Sequence, residues 1–313
     1  MIESNDIALH MSKGIDYLLA MQDTAGSWRD YQLPVGESDQ WVTAFTALGV
    51  LRAGRVLNNK SALKAAEMAA NFLLKSRCYE AGWGYNSNTG VDADSTAYAI
   101  QLFRALGRAV PKTDEACLME NFCDKGGVST YLTDSGWGIA HPDVTAAVGL
   151  ALNDTQLLQK KQVLRKYCEE SFISGIGWPT YWWKNHLYAT WHMLELYQRL
   201  ELTAPTSVTS IGVSIESAFD LAWAVGILNA MKCPESIMDK PLSLLCQLQL
   251  PSGKWLGANN LRVTDPTCLT PWVTPMGEYY IDNHGTITTA AALTVLSKMI
   301  PLWWTHPSRQ KSV

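Results

Sequence analysis

Two aspartates one residue apart are the strongest candidates for chemistry in this sequence. Asp92 and Asp94 lie in AGWGYNSNTGVDADSTAYAIQLF (residues 81–103), behind a Gly-Trp-Gly turn and before an apolar helical run. A neighbouring carboxylate raises the pKa of an aspartate, so one member of such a pair can stay protonated and act as an acid. Both could instead cap a helix, since Asp is a preferred N-cap residue. Because capping lowers the pKa of the capping residue, Asp92 is the better cap and Asp94 the better acid.

The elements around this pair recur along the chain. Five segments share a Gly/Trp turn, a polar loop, a start at Asp, His, Asn or Thr, and a helix of small residues; a sixth helix, SIESAFDLAWAVGILNA, lacks the Trp turn. These six helices are apolar around much of their circumference, as expected for helices buried on several sides. Five amphipathic segments with one charged face lie between them.

This alternation predicts an all-α fold, an α/α toroid in which six inner helices are wrapped by five to six outer ones. We expect one such domain over residues 1–313. The stretch 202–214 is loop-like, so one outer helix is expected to be missing or irregular. The loops before the inner helices would open at one end of the ring and gather these residues near one mouth: Asp39, Asp92, Asp94, Asp143, His141, His186, Asp282 and His284.

Composition narrows the function classes. The net charge is −4 and no Lys/Arg run exceeds QKK, which argues against nucleic acid or an anionic membrane and favours a small molecule. The sequence has no uninterrupted apolar stretch of about 18 residues and no basic, apolar leader, so neither a membrane span nor a signal peptide is predicted. Seven scattered cysteines without a C-x-x-C pair are typical of a reducing cytoplasm, and we expect a cytoplasmic protein with free thiols.

Two segments share a more specific sequence pattern. QDTAGSW (Gln22 to Trp28) and QLPSGKW (Gln249 to Trp255) are both Q-x-x-x-G-x-W. This pattern resembles the QW repeat of squalene-hopene cyclases and class II terpene cyclases, in which the Gln bonds the neighbouring turn and the Trp packs over a helix end. The pattern supports the fold more than an activity.

The segment DADSTA resembles the D-x-D-D-T-A box of the same family, and this resemblance implies roles for its residues. Asp94 takes the position of the Brønsted acid that protonates an alkene or epoxide, and Asp92 that of its electrostatic partner. Ser95 replaces the last Asp of the box. In the next turn, GWGIAHPDVTA, His141 matches a histidine that hydrogen-bonds the acid in squalene-hopene cyclases.

The resemblance further implies a small, hydrophobic, isoprenoid-like substrate whose cations are stabilised by aromatic faces. A prenyl diphosphate substrate would add Mg²⁺ on the diphosphate and basic residues at the rim. Full class II cyclases enclose their acid between two such domains. In a single ring, either loops such as 29–38 and 255–282, a homodimer or a partner domain covers the mouth, or the substrate or reaction differs. The candidate wall residues are Trp83, Trp137, Trp178, Trp182, Trp183 and Trp223, and the candidate rim cations are Arg29, Lys184, Lys254 and Arg262.

Two other readings remain open. The β-subunit of protein prenyltransferases is a similar toroid with a zinc site, and Asp265, Cys268 and His284 have suitable chemistry, although their spacing does not reproduce that family's. The toroid could also be a non-catalytic binding or scaffold module in which Ser95 marks lost activity.

Overall fold

Six apolar helices form a closed ring at the centre of the protein. The structure is a computed structural model that describes residues 3–205 and 215–300. Each inner helix packs against the next, and the last returns to the first, which confirms the predicted α/α toroid. The inner helices are α2 (Gln40–Val56), α4 (Ala93–Ala105), α6 (Pro142–Ala151), α8 (Leu187–Arg199), α9 (Ala218–Ala230) and α11 (Thr286–Leu296).

Five amphipathic helices pack on the outside of this ring. The outermost sides of these helices carry their charged residues, whereas small and aliphatic side chains such as Ala65, Ala69 and Leu73 face the ring and are fully or almost fully buried. The outer helices in the described residues are α1 (Ser4–Met21), α3 (Lys60–Ser76), α5 (Lys112–Glu120), α7 (Asp154–Glu170) and α10 (Glu235–Gln247). Most of the stretch expected to lack an outer helix, residues 206–214, lies outside the described residues.

Two antiparallel hairpins add strands that the all-α prediction did not include. The expected loops 29–38 and 255–282 contain β1 (Asp30–Leu33) paired with β2 (Gly36–Ser38), and β3 (Asn259–Thr264) paired with β4 (Gly277–Ile281). The Tyr31 hydroxyl donates to Asn260 Oδ1 at 2.6 Å and so joins the first hairpin to the second. Both hairpins stand at the end of the ring where the inner helices begin, because β2 leads into α2 and β4 into α11.

Four fully buried tryptophans tie the outer helices to the turns that follow them. In each case the indole N–H donates to the backbone carbonyl ten residues earlier, near the end of an outer helix, at 2.6–2.7 Å. A threonine hydroxyl of the next inner helix accepts the backbone N–H of the same tryptophan at 2.9–3.2 Å. We call these residues the staple tryptophans: Trp28, Trp83, Trp178 and Trp255.

The Q-x-x-x-G-x-W segments have the structure that their resemblance implies. Gln22 Nε2 donates to the carbonyl of Gly26 in its own turn and to Ala65 on α3, both at 2.9 Å. Gln249 repeats this arrangement with Gly253 and His10. Glycine is required at these turns: a Cβ on Gly253, whose φ is +92°, would stand 2.2 Å from the carbonyl oxygen of Lys13.

Aromatic side chains fill the middle of the ring and separate two cavities. This aromatic plug consists of Phe45, Tyr98, Tyr188, Phe219 and Trp223, which contact one another through ring centroids 5.3–6.4 Å apart. A cavity of about 120 Å³ lies at the C-terminal ends of the inner helices and is bordered by Arg52, Gln101 and Glu195. The larger cavity lies at their N-terminal ends, between the hairpins.

Candidate active site

A cavity of about 510 Å³ occupies the mouth of the ring, within the size range of small-molecule sites. We call it the mouth cavity. Its floor comes from the starts of α2 and α4 and from the segment before α8, and its sides from the two hairpins and the loops around residues 85–90 and 130–137. Its lining residues are Leu33, Pro34, Val35, Trp41, Tyr85, Asn88, Thr89, Gly90, Asp92, Asp94, Ser95, Thr130, Tyr131, Trp137, Trp182, Trp183, Leu261, Val263 and Tyr280.

Asp92 caps α4, as predicted. Its Oδ1 accepts the backbone N–H of Ser95 at 2.6 Å, and its Oδ2 accepts the Ser95 hydroxyl at 2.7 Å. Ser95 stands where the cyclase box has an aspartate. Its hydroxyl therefore donates a hydrogen bond to Asp92 instead of adding a third carboxylate. With both oxygens engaged and its side chain buried, Asp92 is held as a fixed neighbour of Asp94.

Asp94 lies in the first turn of α4, two residues after the cap, and faces the mouth cavity. Its Oδ2 accepts the indole N–H of Trp41, from the start of α2, at 2.7 Å. Backbone capping is done by Asp92, so the helix does not engage Asp94 in the way that would favour its ionised form. The other carboxyl oxygen of Asp94 makes no hydrogen bond to a protein group within the described residues.

Burial and like charge both favour the protonated form of this carboxyl group. Burial raises the pKa of Asp94 well above its ordinary value, and the charges of Asp92 and Asp143 raise it further, whereas the hydrogen bond from Trp41 lowers it. Burial also raises the pKa of Asp92 to about 6, against the hydrogen bonds from Ser95. The surroundings of Asp94 thus favour the protonated form of its carboxyl group.

His141 does not bond Asp94, which corrects the role expected for it. Its Nε2 carries the proton, because this nitrogen lies 2.8 Å from the Gly136 carbonyl, which can only accept. Its Nδ1 then accepts the Thr130 hydroxyl at 3.0 Å. Burial lowers the pKa of His141 to about 3, so the ring is neutral.

His141 affects the wall of the mouth cavity indirectly, through Thr130. The Thr130 hydroxyl that it orients accepts the indole N–H of Trp182 at 2.8 Å, and both Thr130 and Trp182 line the mouth cavity. Asp143 fixes the same segment, since its Oδ2 accepts the backbone N–H groups of Tyr181 and Trp182 at 3.0 Å each. His141 and Asp143 thus position an aromatic part of the wall.

The expected aromatic wall is only partly built from the expected residues. Trp137, Trp182 and Trp183 line the mouth cavity, together with Trp41, which sequence reasoning missed. Trp83 and Trp178 are staple tryptophans and do not line it, and Trp223 belongs to the aromatic plug and borders the smaller cavity. The signal for Trp41 was its place directly after Asp39 and Gln40, at the start of an inner helix.

None of the four expected rim cations lines the mouth cavity. Arg29 is 3.9 Å from Asp39, and Lys184 is 2.6 Å from Glu216. Lys254 stands over the Tyr17 ring. The guanidinium of Arg262 is buried and donates to the backbone carbonyls of Thr180, Tyr181 and Pro271 at 2.6–3.1 Å, so it fastens β3 to the segment before α8.

The residues expected for zinc are not assembled. Within residues 3–205 and 215–300 no group of three or more His, Cys, Asp or Glu side chains could hold a metal ion. Asp265 accepts from Thr267 instead, the thiol of Cys268 points to the Thr274 carbonyl, and the backbone N–H of His284 donates to Asp30. The three residues Asp265, Cys268 and His284 therefore do not form a zinc site. Nor does any helix of the described residues combine the length and apolarity needed to cross a bilayer.

The closed helical ring with hairpins at its mouth is the fold of type II terpene cyclases. No protein-family model matches the chain and no curated protein sequence is similar to it, so the likeness lies in three-dimensional structure. The type II terpene cyclase MstE from Scytonema superposes with a TM-score of 0.83 at 23% identity, covering 96% of this chain and 100% of that chain.

Other structures of MstE contain ligands, and further proteins share the fold. An aspartate-to-asparagine variant of MstE holds geranylgeranyl dihydroxybenzoate, its substrate, and an aspartate-to-alanine variant holds merosterolic acid A, its product. A protein from Actinoplanes matches with a TM-score of 0.80 at 25% identity, over 94% of this chain and 100% of that one. ent-Copalyl diphosphate synthase from Streptomyces platensis matches at 13% identity and a TM-score of 0.59, over 83% of this chain and 50% of that chain.

Proposed function

We propose that the protein is a type II terpene cyclase, in which Asp94 protonates a terminal alkene or epoxide of an isoprenoid chain and so starts cyclisation or isomerisation. One observation carries the proposal: the carboxyl group of Asp94 faces an apolar, aromatic cavity, with one oxygen held by Trp41 and with surroundings that raise its pKa. Protonating an alkene requires a strong acid kept away from water, which such a cavity supplies.

The hydrogen bond from Trp41 supports the acid at the moment of proton transfer. As the proton leaves Asp94, charge develops on its carboxylate, and an N–H donor already aimed at Oδ2 stabilises that charge without reorganisation. The charge of Asp92 acts earlier, because it favours the protonated ground state of Asp94 and so keeps a proton available for transfer to carbon.

The aromatic wall supports the second half of the reaction. Carbocations formed from the chain would lie against the faces of Trp41, Trp137, Trp182 and Trp183, each of which stabilises a cation by about 0.5–2 kcal/mol. The hairpins β1–β2 and β3–β4 contribute Leu33, Val35, Leu261 and Val263 to the sides of the cavity, which limits the access of water that would quench the cation. A homodimer or partner domain that closes the mouth stays a prediction.

Replacement of Asp94 by asparagine tests the proposal directly. Asp94→Asn keeps the size of the side chain and removes the transferable proton, so product formation is expected to fall by about 10³-fold or more. Wild type and variant would be incubated with geranylgeraniol, geranylgeranyl hydroquinone and geranylgeranyl diphosphate, and the extracts analysed by mass spectrometry.

Asp39→Asn is the matched control, since Asp39 precedes inner helix α2 as Asp92 precedes α4 but does not line the mouth cavity. It is expected to retain turnover. Circular dichroism and thermal unfolding of each variant would show that the fold is intact. Full turnover by folded Asp94→Asn would refute the proposal.

A further inference from the structure

The charge of the mouth cavity constrains the substrate's head group. In the part of the chain that the structure describes, the wall carries the carboxyl groups of Asp92 and Asp94 and no Lys, Arg or His side chain, and Arg29, Lys184, Lys254 and Arg262 of the surrounding loops have partners elsewhere. A diphosphate requires cations or several N–H donors to replace its hydration, because an unpaired buried charge is strongly unfavourable. The wall offers carboxyl groups in their place.

The neutral polar groups around the opening also disfavour an anionic head group. Four side chains of the hairpins and of loop 85–90 donate hydrogen bonds to protein acceptors, which uses the hydroxyl protons of Tyr85, Thr89 and Tyr280 and one of the two amide protons of Asn88. These donations run from Tyr85 to the Tyr31 carbonyl, from Thr89 to the Asn86 carbonyl, from Asn88 to the Val35 carbonyl and from Tyr280 to the Glu278 carboxylate, at 2.5–3.1 Å.

An opening lined with hydrogen-bond acceptors favours a substrate whose head group donates hydrogen bonds. The Oη atoms of Tyr85 and Tyr280 and the Oδ1 of Asn88 can each accept a hydrogen bond from a hydroxyl group. The same oxygens would face the oxygens of a diphosphate or carboxylate without a proton between them, which is repulsive. The Tyr131 hydroxyl is a further polar group of the wall, and burial, together with the nearby carboxyl groups of Asp92 and Asp94, raises its pKa.

Resting on the proposed function, we infer that the substrate is an isoprenoid chain with an uncharged, hydroxyl-bearing head, such as a prenyl alcohol or a prenylated phenol, and not a prenyl diphosphate. The chain extends inward to Asp94 and the head lies at the opening beside Tyr85, Asn88 and Tyr280. The Mg²⁺ and rim cations that a diphosphate would need are then not part of this site.

Ligand binding tests this head-group inference separately from the cyclisation reaction. Quenching of tryptophan fluorescence in Asp94→Asn, which has four tryptophans on the cavity wall, would report the affinities of geranylgeraniol, geranylgeranyl hydroquinone and geranylgeranyl diphosphate, the last with and without Mg²⁺. The two uncharged ligands are expected to bind at least about 10-fold more tightly than the diphosphate.

A charge placed at the opening sharpens the test. Asn88→Lys in the same background is expected to shift the ratio of the two affinities towards the diphosphate by about 10-fold, because it adds a cation where the head group lies. Asn88→Leu removes the same amide without adding charge and is expected to leave diphosphate binding weak. This control separates a head-group effect from the greater apolarity of the uncharged ligands.

The outcomes distinguish the two proposals. Tighter binding of the uncharged ligands with no cyclised product from wild type would uphold the head-group inference and refute the proposed function. Binding of the diphosphate as tight as that of the alcohol would overturn the inference, and conversion of that diphosphate by wild type but not by Asp94→Asn would leave the proposed function standing.

Discussion

Tryptophan does two different things in two regions of this protein. The staple tryptophans Trp28, Trp83, Trp178 and Trp255 lie between the rings of helices, are at most 1% exposed, and donate to carbonyls of the outer helices. Trp41, Trp137, Trp182 and Trp183 lie at the mouth and turn their rings to one cavity. The first group holds the repeats together, and the second lines the place where we propose that chemistry occurs.

Two Gly-Trp-Gly turns show how the regions differ in spite of identical sequence. Trp83 in the turn 82–84 is a staple, and the N–H of Asp92 donates to its carbonyl. In the following repeat Val128 has the corresponding place, since its carbonyl accepts the His141 N–H and its own N–H donates to Thr145. Trp137 of the second turn is therefore not the equivalent of Trp83; it lies in a short 3-10 turn and its indole N–H donates to Thr264 on β3.

Truncation of one member of each group would break or confirm this comparison, with the largest effect on the staple. Trp83→Ala is expected to lower the free energy of unfolding by about 3–5 kcal/mol, because it leaves a large cavity and removes the hydrogen bond to the Leu73 carbonyl. Urea-induced unfolding followed by circular dichroism would measure this loss.

Trp137→Ala is the matched variant at the mouth, and its side chain is only half-buried. We expect Trp137→Ala to lower the free energy of unfolding by about 1–2 kcal/mol, because less buried apolar surface is lost than at Trp83, together with one hydrogen bond. Its main effect is expected on turnover or on the product pattern. Equal destabilisation by the two truncations would show that the division into staples and wall is wrong.

The fold could be predicted from this sequence because its signals are local and repeated. Apolar helices such as 286–296 alternate with charged ones, and the Q-x-x-x-G-x-W turns recur with their glycine, so the toroid follows from patterns within single segments. The hairpins could not be predicted in this way. β3 and β4 are separated by twelve residues, and β1 carries Tyr31 at φ +54°, which no strand pattern indicates.

The site was predicted in part, for a related reason. Asp92 and Asp94 share one helix start, so their division into cap and acid follows from helix geometry alone. The partner of Asp94 comes from another inner helix, and which side chain reaches it depends on how the helices pack. His141, expected from the resemblance, turns to Gly136 and Thr130, whereas Trp41 takes the place beside the acid.

The pH dependence of stability should have opposite signs at the mouth and in a staple turn. Burial raises the pKa of Asp92 to about 6 in the folded protein, above its ordinary value of 3.8, so the unfolded chain ionises first as pH rises. The folded state therefore loses up to about 3 kcal/mol relative to the unfolded state between pH 4 and 7. Asp92→Asn, which cannot ionise, is expected to gain stability relative to wild type across that window, as measured by urea unfolding at each pH.

Asp23, in the turn of Trp28, supplies the comparison. Burial opposes its ionisation, but hydrogen bonds from Ser27 prevail and lower the pKa of Asp23, so its contribution to stability is present above its ordinary pKa and is lost as pH falls. Asp23→Asn is expected to lose stability relative to wild type as pH rises through about 4. A rise of Asp92→Asn stability that does not depend on pH would contradict the assignment of Asp92 as a buried, ionising neighbour of the acid.

An effect on turnover smaller than that of Asp94→Asn is expected to distinguish Trp41 from the rest of the wall. Trp41→Phe keeps an aromatic ring against Phe45 and Tyr98 but removes the N–H donor to Asp94 Oδ2. Loss of a hydrogen bond to a developing carboxylate is expected to lower kcat by about 10–100-fold. Turnover of an epoxide-bearing chain should fall less than turnover of an alkene, since an epoxide can be opened by a weaker acid.

Trp183→Phe offers the control, because the Trp183 indole nitrogen makes no hydrogen bond within the described residues. If both replacements slow alkene and epoxide substrates alike, Trp41 contributes only its ring, and its hydrogen bond to Asp94 does not assist proton transfer.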